Sequence, residues 1–403
     1  MKRKIYYYFS VIITITFIFS IFVIPVSAYN KQNQLKQEEK QEDKEGGLDV
    51  EAKSALLIEP TTGKIIYEKN SHEKFAPASV TKVMTMLLTM EAVDSGKIKL
   101  TDKVTISENA KKMGGSTMLL DVGEERTVEE LLKGIAIASG NDAAVAMGEY
   151  LAGSEEAFVK KMNDRAQKLN MKDTSLKNCT GLSEEGHKTS AYDISIMSRE
   201  LLKHKQILKY TGTYMETISE GRKSPIGLVN HNKLVRFFKG CDGLKTGFTD
   251  EAKYCISATA KKDGVRMLAV IMGAPTYKIR NKDASKLMNY GFSKFECKAI
   301  AKKGDVISKI PLNSKGDKYF MAKACEDLNA TVEKGKNGKI TSKCIIDQNI
   351  KEYKINEKVG VCEFYSDGKL IGKIKITSDR NIRKSGIFNQ FKSGFERLID
   401  NGI

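Results

Sequence analysis

The hydrophobic pattern of the chain changes near residue 294, and this change limits the folds that the chain can adopt. Before it, apolar residues recur at helical spacing in Ser79–Ala92 and in the stretches 127–151 and 155–169. After it, short alternating runs are separated by Gly, Asn and Asp. A single core seldom grows past about 250–300 residues, and the chain has 403 residues. We therefore expect an α/β (α+β) domain over 48–293 and a small all-β domain over 294–378.

Paired strands are expected near both ends of the first domain. Ala55–Ile58 and Lys64–Tyr67 flank the turn 60–63, and the runs 254–260 and 265–272 flank a second turn. A helix over 283–290 then closes this domain. The strands expected in the second domain, where Ser366-Asp367-Gly368 is a hairpin signal, are 305–312, 317–325, 339–346, 359–365 and 369–377.

The N-terminal residues predict export. Three basic residues within 1–4 precede residues 5–28, which carry no charge, and Val26-Ser27-Ala28 has the small residues of a cleavage site. We expect a signal peptide over 1–28, although the uncharged run is also long enough for an uncleaved anchor. The polar residues 29–47 predict a disordered tether.

The formal charge of +17 indicates an anionic partner. Export makes nucleic acid an unsuitable partner and leaves wall polymer or anionic lipid. The last segment, 379–403, contains an amphipathic helical pattern at 387–399 with basic residues elsewhere on its surface. We expect this helix to lie on the outer face of the cytoplasmic membrane, with packing against the β domain as the alternative.

The seven cysteines lie singly and form no C-x-x-C pair. We interpret them as buried small apolar residues, with one or two disulfides in the C-terminal half as the alternative. The four histidines form no H-E-x-x-H motif, so the sequence predicts no metal site and no cofactor. A Ser-His-Asp triad using His187 or His231 remains open, but the G-x-S-x-G motif is absent.

A serine and a lysine three residues apart open an apolar helix. Positions i and i+3 share one helix face, so the Ser79 hydroxyl and the Lys82 amine are expected to be neighbours. Serine needs a base to become a nucleophile, and a lysine can serve once its pKa is lowered. S-x-x-K occurs three times in the chain, and Ser79–Lys82 is the occurrence that starts an apolar helix. The pattern alone is weak and also fits an exposed helix start.

Two further triplets strengthen this interpretation. Ser139-Gly140-Asn141 follows an apolar helix, and Lys245-Thr246-Gly247 precedes Phe248 and Thr249; each triplet occurs once. Separately, the first fits a helix C-cap and the second fits a loop. Together, and in this order, they form the signature of penicillin-recognising serine enzymes.

The chain resembles the D-alanyl-D-alanine carboxypeptidases among the low-molecular-mass penicillin-binding proteins. The resemblance covers roughly 48–293 and implies a serine β-lactamase/transpeptidase-like catalytic domain. It also implies peptidoglycan stem peptides as substrates and β-lactam antibiotics as inhibitors. It rests further on the segments Pro60–Gly63, Pro77–Lys82, Gly114–Ser116, Ala138–Ala143, Asn178 with Gly181-Leu182, Asn230–Asn232 and Asp242–Gly247.

Carried over by position, the resemblance implies a role for each motif residue. Ser79 is the nucleophile, Lys82 the general base and Ser139 the proton relay. The backbone N–H groups of Ser79 and Phe248 form the oxyanion hole. Lys245 also lowers the pKa of Lys82. The residues implied to bind substrate are Asn141, Lys245, Thr246, Gly247 and Thr249.

The chain departs from the family pattern at two positions, and two other functions remain open. Lys253 follows Ala252 where members often have Gly, and Phe248 replaces a His that some members have. A class A β-lactamase shares two of the motifs, but it usually has Ser-Asp-Asn in place of Ser139-Gly140-Asn141 and lacks an added β domain. A non-catalytic wall-binding module is the other alternative, and the intact set of motifs argues against it.

Overall fold

The computed structural model describes residues 48–218, 224–312, 316, 318–335, 340–347, 352–383 and 396–399. The signal peptide expected over 1–28 and the tether expected over 29–47 lie outside these residues.

A five-stranded antiparallel sheet forms the centre of the first domain, with the strand order β2-β1-β9-β8-β7. β1 and nearly all of β9 are buried, because helices cover the sheet. β7 lies at one edge, beside the turn that carries Ser79. The strands are β1 (Ser54–Glu59), β2 (Lys64–Lys69), β7 (Cys241–Thr249), β8 (Lys253–Lys262) and β9 (Val265–Ala274).

The helices of this domain pack around one apolar core that includes residues of β1 and β9. A 3₁₀ turn over Ala78–Thr81 leads into α1 (Lys82–Asp94), which is buried along most of its length. The other helices are α2 (Glu108–Lys111), α3 (Val128–Lys133), α4 (Asn141–Ala152), α5 (Glu155–Lys168), α6 (Ala191–Leu201), α7 (Ile207–Thr211), α8 (Leu234–Phe237) and α9 (Tyr277–Lys294). Two small hairpins complete it: β3 (Lys103–Thr105) with β4 (Glu125–Thr127), and β5 (Met215–Ile218) with β6 (Ile226–Val229).

The structure confirms most of the expected elements of this domain and changes two of them. Ser79 lies in the 3₁₀ turn, so the regular α-helix starts three residues later than its motif. The helical stretch expected over 127–151 is broken, because a π-helical segment over Gly134–Ala138 ends at Ser139 in the left-handed conformation. The longest elements that the sequence did not predict are the helix α6 and the strand β7; the short helices α2, α7 and α8 and the two small hairpins were also not predicted.

All described elements after α9 are strands. A six-stranded antiparallel sheet has the order β11-β12-β17-β16-β14-β19, and two-stranded ladders join β10 to β13 and β15 to β18. A separate apolar core lies within these strands. The strands are β10 (Phe295–Ala301), β11 (Val306–Pro311), β12 (Tyr319–Ala324), β13 (Leu328–Glu333), β14 (Ile340–Ile346), β15 (Glu352–Tyr353), β16 (Lys358–Ser366), β17 (Lys369–Ser378), β18 (Ile382–Arg383) and β19 (Glu396–Ile399).

The cysteines divide between the two interpretations. Cys344 and Cys362 lie directly opposite each other on β14 and β16 and form a disulfide. Cys179, Cys241 and Cys255 are free and buried, as expected of small apolar residues, while Cys297 and Cys325 are free and half-buried.

The helix expected over 387–399 is corrected at its last four residues. Residues 396–399 are extended and pair with β14 from Ile340 to Lys343, because the edge of that sheet offers unpaired backbone groups to another strand. The rest of the expected helix lies outside the described residues. In the ranges that the structure covers, no helix combines the length and the apolar character needed to cross a membrane.

Candidate active site

The 3₁₀ turn brings a serine hydroxyl to a buried amine. Lys82 Nζ lies 3.1 Å from Ser79 Oγ. Lys82 is fully buried and Ser79 is partly exposed. The neighbours predicted from the i, i+3 spacing are therefore in contact, with the hydroxyl at the surface and the amine beneath it.

Two oxygens hold the Lys82 amine in place. Nζ donates to Asn141 Oδ1 at 2.6 Å and to the Thr180 carbonyl at 2.7 Å. Burial lowers the pKa of Lys82 to about 7, because a charged amine loses its hydration in the interior. We expected burial or a second cation to lower this pKa, with the Lys245 charge contributing. Burial is the main cause of the shift at Lys82. The positive charge of Lys82 in turn lowers the pKa of Lys245.

Ser139 and Asn141 enter the site through the break between the π-helical segment and α4. Ser139 adopts φ 63°, and its hydroxyl makes no hydrogen bond to the described part of the chain. Asn141 is fixed on two sides, because its Nδ2 donates to the Gly114 carbonyl at 2.6 Å and its backbone N–H donates to Ser116 at 2.7 Å. The loop after α2 thus orients the amide whose oxygen accepts a hydrogen bond from the Lys82 amine.

The edge strand β7 borders the site on the other side. Lys245 and Thr246 are buried, and Lys245 Nζ donates to the Thr246 carbonyl at 2.8 Å. A Cβ atom on Gly247 would lie 2.9 Å from both the Pro77 carbonyl oxygen and the Ser79 nitrogen. Glycine is therefore required here for the strand to approach the 3₁₀ turn.

The two residues after Gly247 face different surroundings. Phe248 is about half exposed, and its ring packs on Tyr254 with 4.4 Å between centroids. The Thr249 hydroxyl accepts a hydrogen bond from the Ala252 N–H at 3.0 Å. The structure therefore places Thr249 at the end of β7, where its hydroxyl accepts from the turn that leads into β8.

Sequence reasoning missed Arg280, which lies buried on α9. Its charge and that of Lys82 join burial in lowering the pKa of Lys245 well below its usual range. The guanidinium bonds to Asn281 Oδ1 at 3.0 and 3.1 Å, and no carboxylate of the described chain pairs with it. The expected helix began at residue 283, so the sequence offered no signal for an arginine one turn earlier.

Lys245 and Arg280, both buried and without a carboxylate partner in the described chain, are suited to a substrate anion. A cationic lysine beside an arginine complements a terminal carboxylate, and the serine with its buried amine base can form a covalent ester. No cluster of three His, Cys, Asp or Glu side chains that could hold a metal occurs in the described ranges. The fold and the site together define a serine enzyme of the acyl-transfer class.

Comparison with known proteins agrees with this class. Residues 36–276 match the family model for D-alanyl-D-alanine carboxypeptidase, and 295–384 match the model for the C-terminal domain of penicillin-binding protein 5. The carboxypeptidase DacF of Bacillus subtilis is 45% identical over 91% of this chain and 92% of its own. The chain belongs to the D-alanyl-D-alanine carboxypeptidase family, whose members are serine peptidases.

Two solved structures share the fold. Penicillin-binding protein 5 from Haemophilus influenzae is 30% identical, with a TM-score of 0.64 over 84% of this chain and 99% of its own. Penicillin-binding protein D2 from Listeria monocytogenes, solved with ampicillin bound, is 31% identical. Its TM-score is 0.55 over 61% of this chain and 100% of its own.

Proposed function

We propose that this protein removes the terminal D-alanine from peptidoglycan pentapeptide stems through an acyl-enzyme on Ser79. The observation that carries the proposal is the set of contacts around Lys82. A neutral amine has two N–H groups and one lone pair. Asn141 and Thr180 accept the two N–H groups, so the lone pair is left for the proton of Ser79, 3.1 Å away.

The first half of the reaction forms the ester. Ser79 Oγ attacks the carbonyl carbon of the penultimate D-alanine while its proton passes to Lys82. The peptide C–N bond then breaks, and Ser139 relays a proton to the nitrogen of the departing D-alanine. The backbone N–H groups of Ser79 and Phe248 stabilise the oxyanion, a contribution of about 10²–10³-fold for each donor in related acyl transfers.

Substrate binding depends on the cations of β7 and α9. Lys245 and Arg280 bind the terminal carboxylate, Thr246 and Thr249 donate hydrogen bonds to it, and Asn141 orients the substrate amide. The carboxylate raises the pKa of Lys245 again on binding, because an opposite charge favours the charged amine. Water then hydrolyses the ester and frees the shortened stem.

The same serine is proposed to react with β-lactams. Attack on the lactam carbonyl opens the ring, and the nitrogen stays attached to the acyl group, so no fragment leaves. The Listeria relative was solved with ampicillin bound, which supports this extension. A β-lactamase would turn penicillin over quickly, whereas this enzyme is expected to hold the adduct.

Two measurements test the function. We expect mass spectrometry of the penicillin-treated protein to find one adduct on Ser79, and Ser79→Ala to lose both the adduct and the release of D-alanine from a pentapeptide. Lys245→Ala should raise KM for the pentapeptide, while its melting temperature should stay close to that of the wild type. An adduct on Ser79→Ala, or unchanged kinetics in Lys245→Ala, would contradict the respective roles.

We further propose that the protein is exported and that, within the segment 379–403, the residues 384–395 attach it to the outer face of the cytoplasmic membrane. The uncharged run 5–28 and the basic and apolar residues after 383 support this. Truncation after Arg383 keeps β17 and β18 intact. It should move the signal-cleaved protein to the soluble fraction, and unchanged membrane partitioning would exclude this segment as the anchor.

A further inference from the structure

A buried histidine outside the known motifs contacts Thr81, the residue just before Lys82. His187 is 2% exposed and lies on the loop that joins α5 to α6. Its Nε2 lies 2.8 Å from Thr81 Oγ1, and its Nδ1 accepts from the backbone N–H of Lys177 at 3.1 Å. The same loop supplies the Thr180 carbonyl that holds Lys82.

The hydrogen bonds have one consistent direction. Because Nδ1 accepts from a backbone N–H, the neutral ring carries its proton on Nε2 and donates it to Thr81 Oγ1. The Thr81 hydroxyl in turn donates to the Ala78 carbonyl at 2.9 Å. Burial lowers the pKa of His187 to about 4, so the ring is neutral at neutral pH. This series of hydrogen bonds, through His187 and Thr81, therefore ends at the Ala78 carbonyl oxygen.

That oxygen belongs to the peptide group that also carries the Ser79 N–H. The peptide is planar, so fixing the Ala78 carbonyl also fixes the direction of the Ser79 N–H. Ala78 has φ 48°, in the left-handed region that a residue with a Cβ atom seldom adopts. The peptide therefore needs outside support to keep its orientation.

Two glycines pack closely against this peptide. A Cβ atom on Gly181 would lie 1.8 Å from the Ala78 oxygen and 2.9 Å from the Ser79 nitrogen. Gly247 approaches the same nitrogen from β7. The two glycines thus let neighbouring backbone pack closely against this peptide, and the Thr81 hydroxyl gives the Ala78 carbonyl oxygen a polar contact.

We propose that His187 and Thr81 are positioning residues that orient the Ser79 N–H of the oxyanion hole. Neither touches the substrate; they act through the Ala78–Ser79 peptide. This inference rests on the proposed acyl-enzyme function, because the Ser79 N–H affects the rate only if an oxyanion forms.

The test compares paired substitutions in the full-length enzyme, using the second-order rate constant for acylation by a fluorescent penicillin. Thr81→Val loses the hydroxyl and should slow acylation about tenfold or more, because one oxyanion donor contributes up to about 10²–10³-fold. Thr81→Ser keeps the hydroxyl and should stay within about threefold of the wild-type rate. His187→Asn keeps an acceptor for Lys177 but cannot reach Thr81, so it should be slow. His187→Gln places its amide N–H near the position of Nε2 and should recover part of the rate.

Two controls separate positioning from folding. Thr89→Val removes another buried α1 hydroxyl, one that donates to Thr85, and should leave acylation unchanged. The Thr81→Val/His187→Asn double variant should be no slower than Thr81→Val, because groups that act in series are not additive. In acyl-enzymes formed by the slow variants, the infrared stretch of the ester carbonyl should move to higher frequency as hydrogen bonding to the oxyanion hole weakens.

The outcomes are distinguishable from failure of the proposed function. A wild-type enzyme that forms no adduct on Ser79 would overturn the function itself. A normal wild-type adduct, together with unchanged acylation in Thr81→Val or equal losses in Thr81→Val and Thr81→Ser, would overturn the positioning role alone. An unshifted ester stretch in a slow variant would overturn it as well.

Discussion

At the scale of residues, the environment decides what each lysine does. Lys82 and Lys245 are both buried in one site, yet their contacts differ. Lys82 has two oxygen acceptors that leave one direction open to Ser79. Lys245 bonds one backbone carbonyl and lies near two other cations, so an anion is the ligand that it lacks. Two identical side chains are thus suited to proton transfer and to anion binding.

The lowered pKa of Lys82 predicts the pH dependence of acylation. Because its pKa falls from 10.5 to about 7, the neutral base is half populated near pH 7 and its fraction rises with pH. Acylation by penicillin should therefore increase from about pH 6 to 8. Lys82→Arg stays charged and should be at least about 10²-fold slower at every pH. A rate that falls over this range would exclude a neutral lysine base.

Lys253 predicts a stabilising substitution. It adopts φ 55° just after the turn between β7 and β8, where family members often have glycine. A left-handed residue with a Cβ atom costs about 1–2 kcal/mol, and glycine in a strand costs about 0.5–1 kcal/mol. Lys253→Gly should therefore raise the free energy of unfolding by about 0.5–1 kcal/mol in urea titrations. Lys262→Gly, at an exposed β8 residue without positive φ, should lower it.

At the scale of elements, the site forms where a short turn meets the edge of a sheet. The 3₁₀ turn presents Ser79, and β7 runs alongside it with its edge unpaired by another strand. This edge leaves backbone groups free to face a substrate. The approach of the two elements depends on Gly247, since any side chain there would contact the Pro77 carbonyl.

Gly247→Ala should separate β7 from the turn. The added Cβ would lie 2.9 Å from the Ser79 nitrogen, closer than packed atoms allow, and the displacement would distort both sides of the oxyanion hole. We expect acylation to fall by about 10²-fold or more. Gly227→Ala on β6, where a Cβ would meet nothing within 4 Å, should acylate normally. Normal acylation in both variants would show that the strand tolerates the added atom.

At the scale of the whole molecule, each domain has its own apolar core. The residues of the site all precede residue 281 and rest on the first core. The strands after α9 have their own core, and a disulfide joins two neighbouring strands of its sheet. Lys64 on β2 and Glu333 on β13 form an ion pair between the two domains. Because the cores are separate, we expect a loss of stability in the second domain to leave the residues of the site in place.

Removing the disulfide should lower the stability of the second domain without changing acylation. Cys344→Ser/Cys362→Ser removes a link across 18 residues, which corresponds to about 3 kcal/mol of stabilisation in the loop-entropy model. We expect the second domain to unfold at lower denaturant concentration, followed by near-ultraviolet circular dichroism, while acylation stays unchanged. Alkylation of the unreduced, denatured wild type should modify five cysteines; seven modified cysteines would mean that the bond is absent.

The sequence by itself determined the family, the order of the motifs, the strands of the two large sheets apart from β7 and β19, and the long helices apart from α6. Local patterns carry this information, because the i, i+3 spacing of Ser79 and Lys82 and the alternation along strands such as β16 act over a few residues. It failed for β7, which it treated as a loop, because this strand contains two glycines and the Lys-Thr-Gly triplet. It also failed at 396–399, where pairing with β14 replaces the expected helix.

Only the tertiary structure decided which groups surround the nucleophile and why Lys82 has its lowered pKa. Thr180, Arg280 and His187 are separated from Ser79 by about a hundred residues or more of sequence, and no local pattern marks them. Burial is a property of the assembled core, so the main cause of the Lys82 shift could not be found from its neighbours in the chain. The sequence specified the reacting groups, and the packing of loops, strand edge and helices determined how they are oriented.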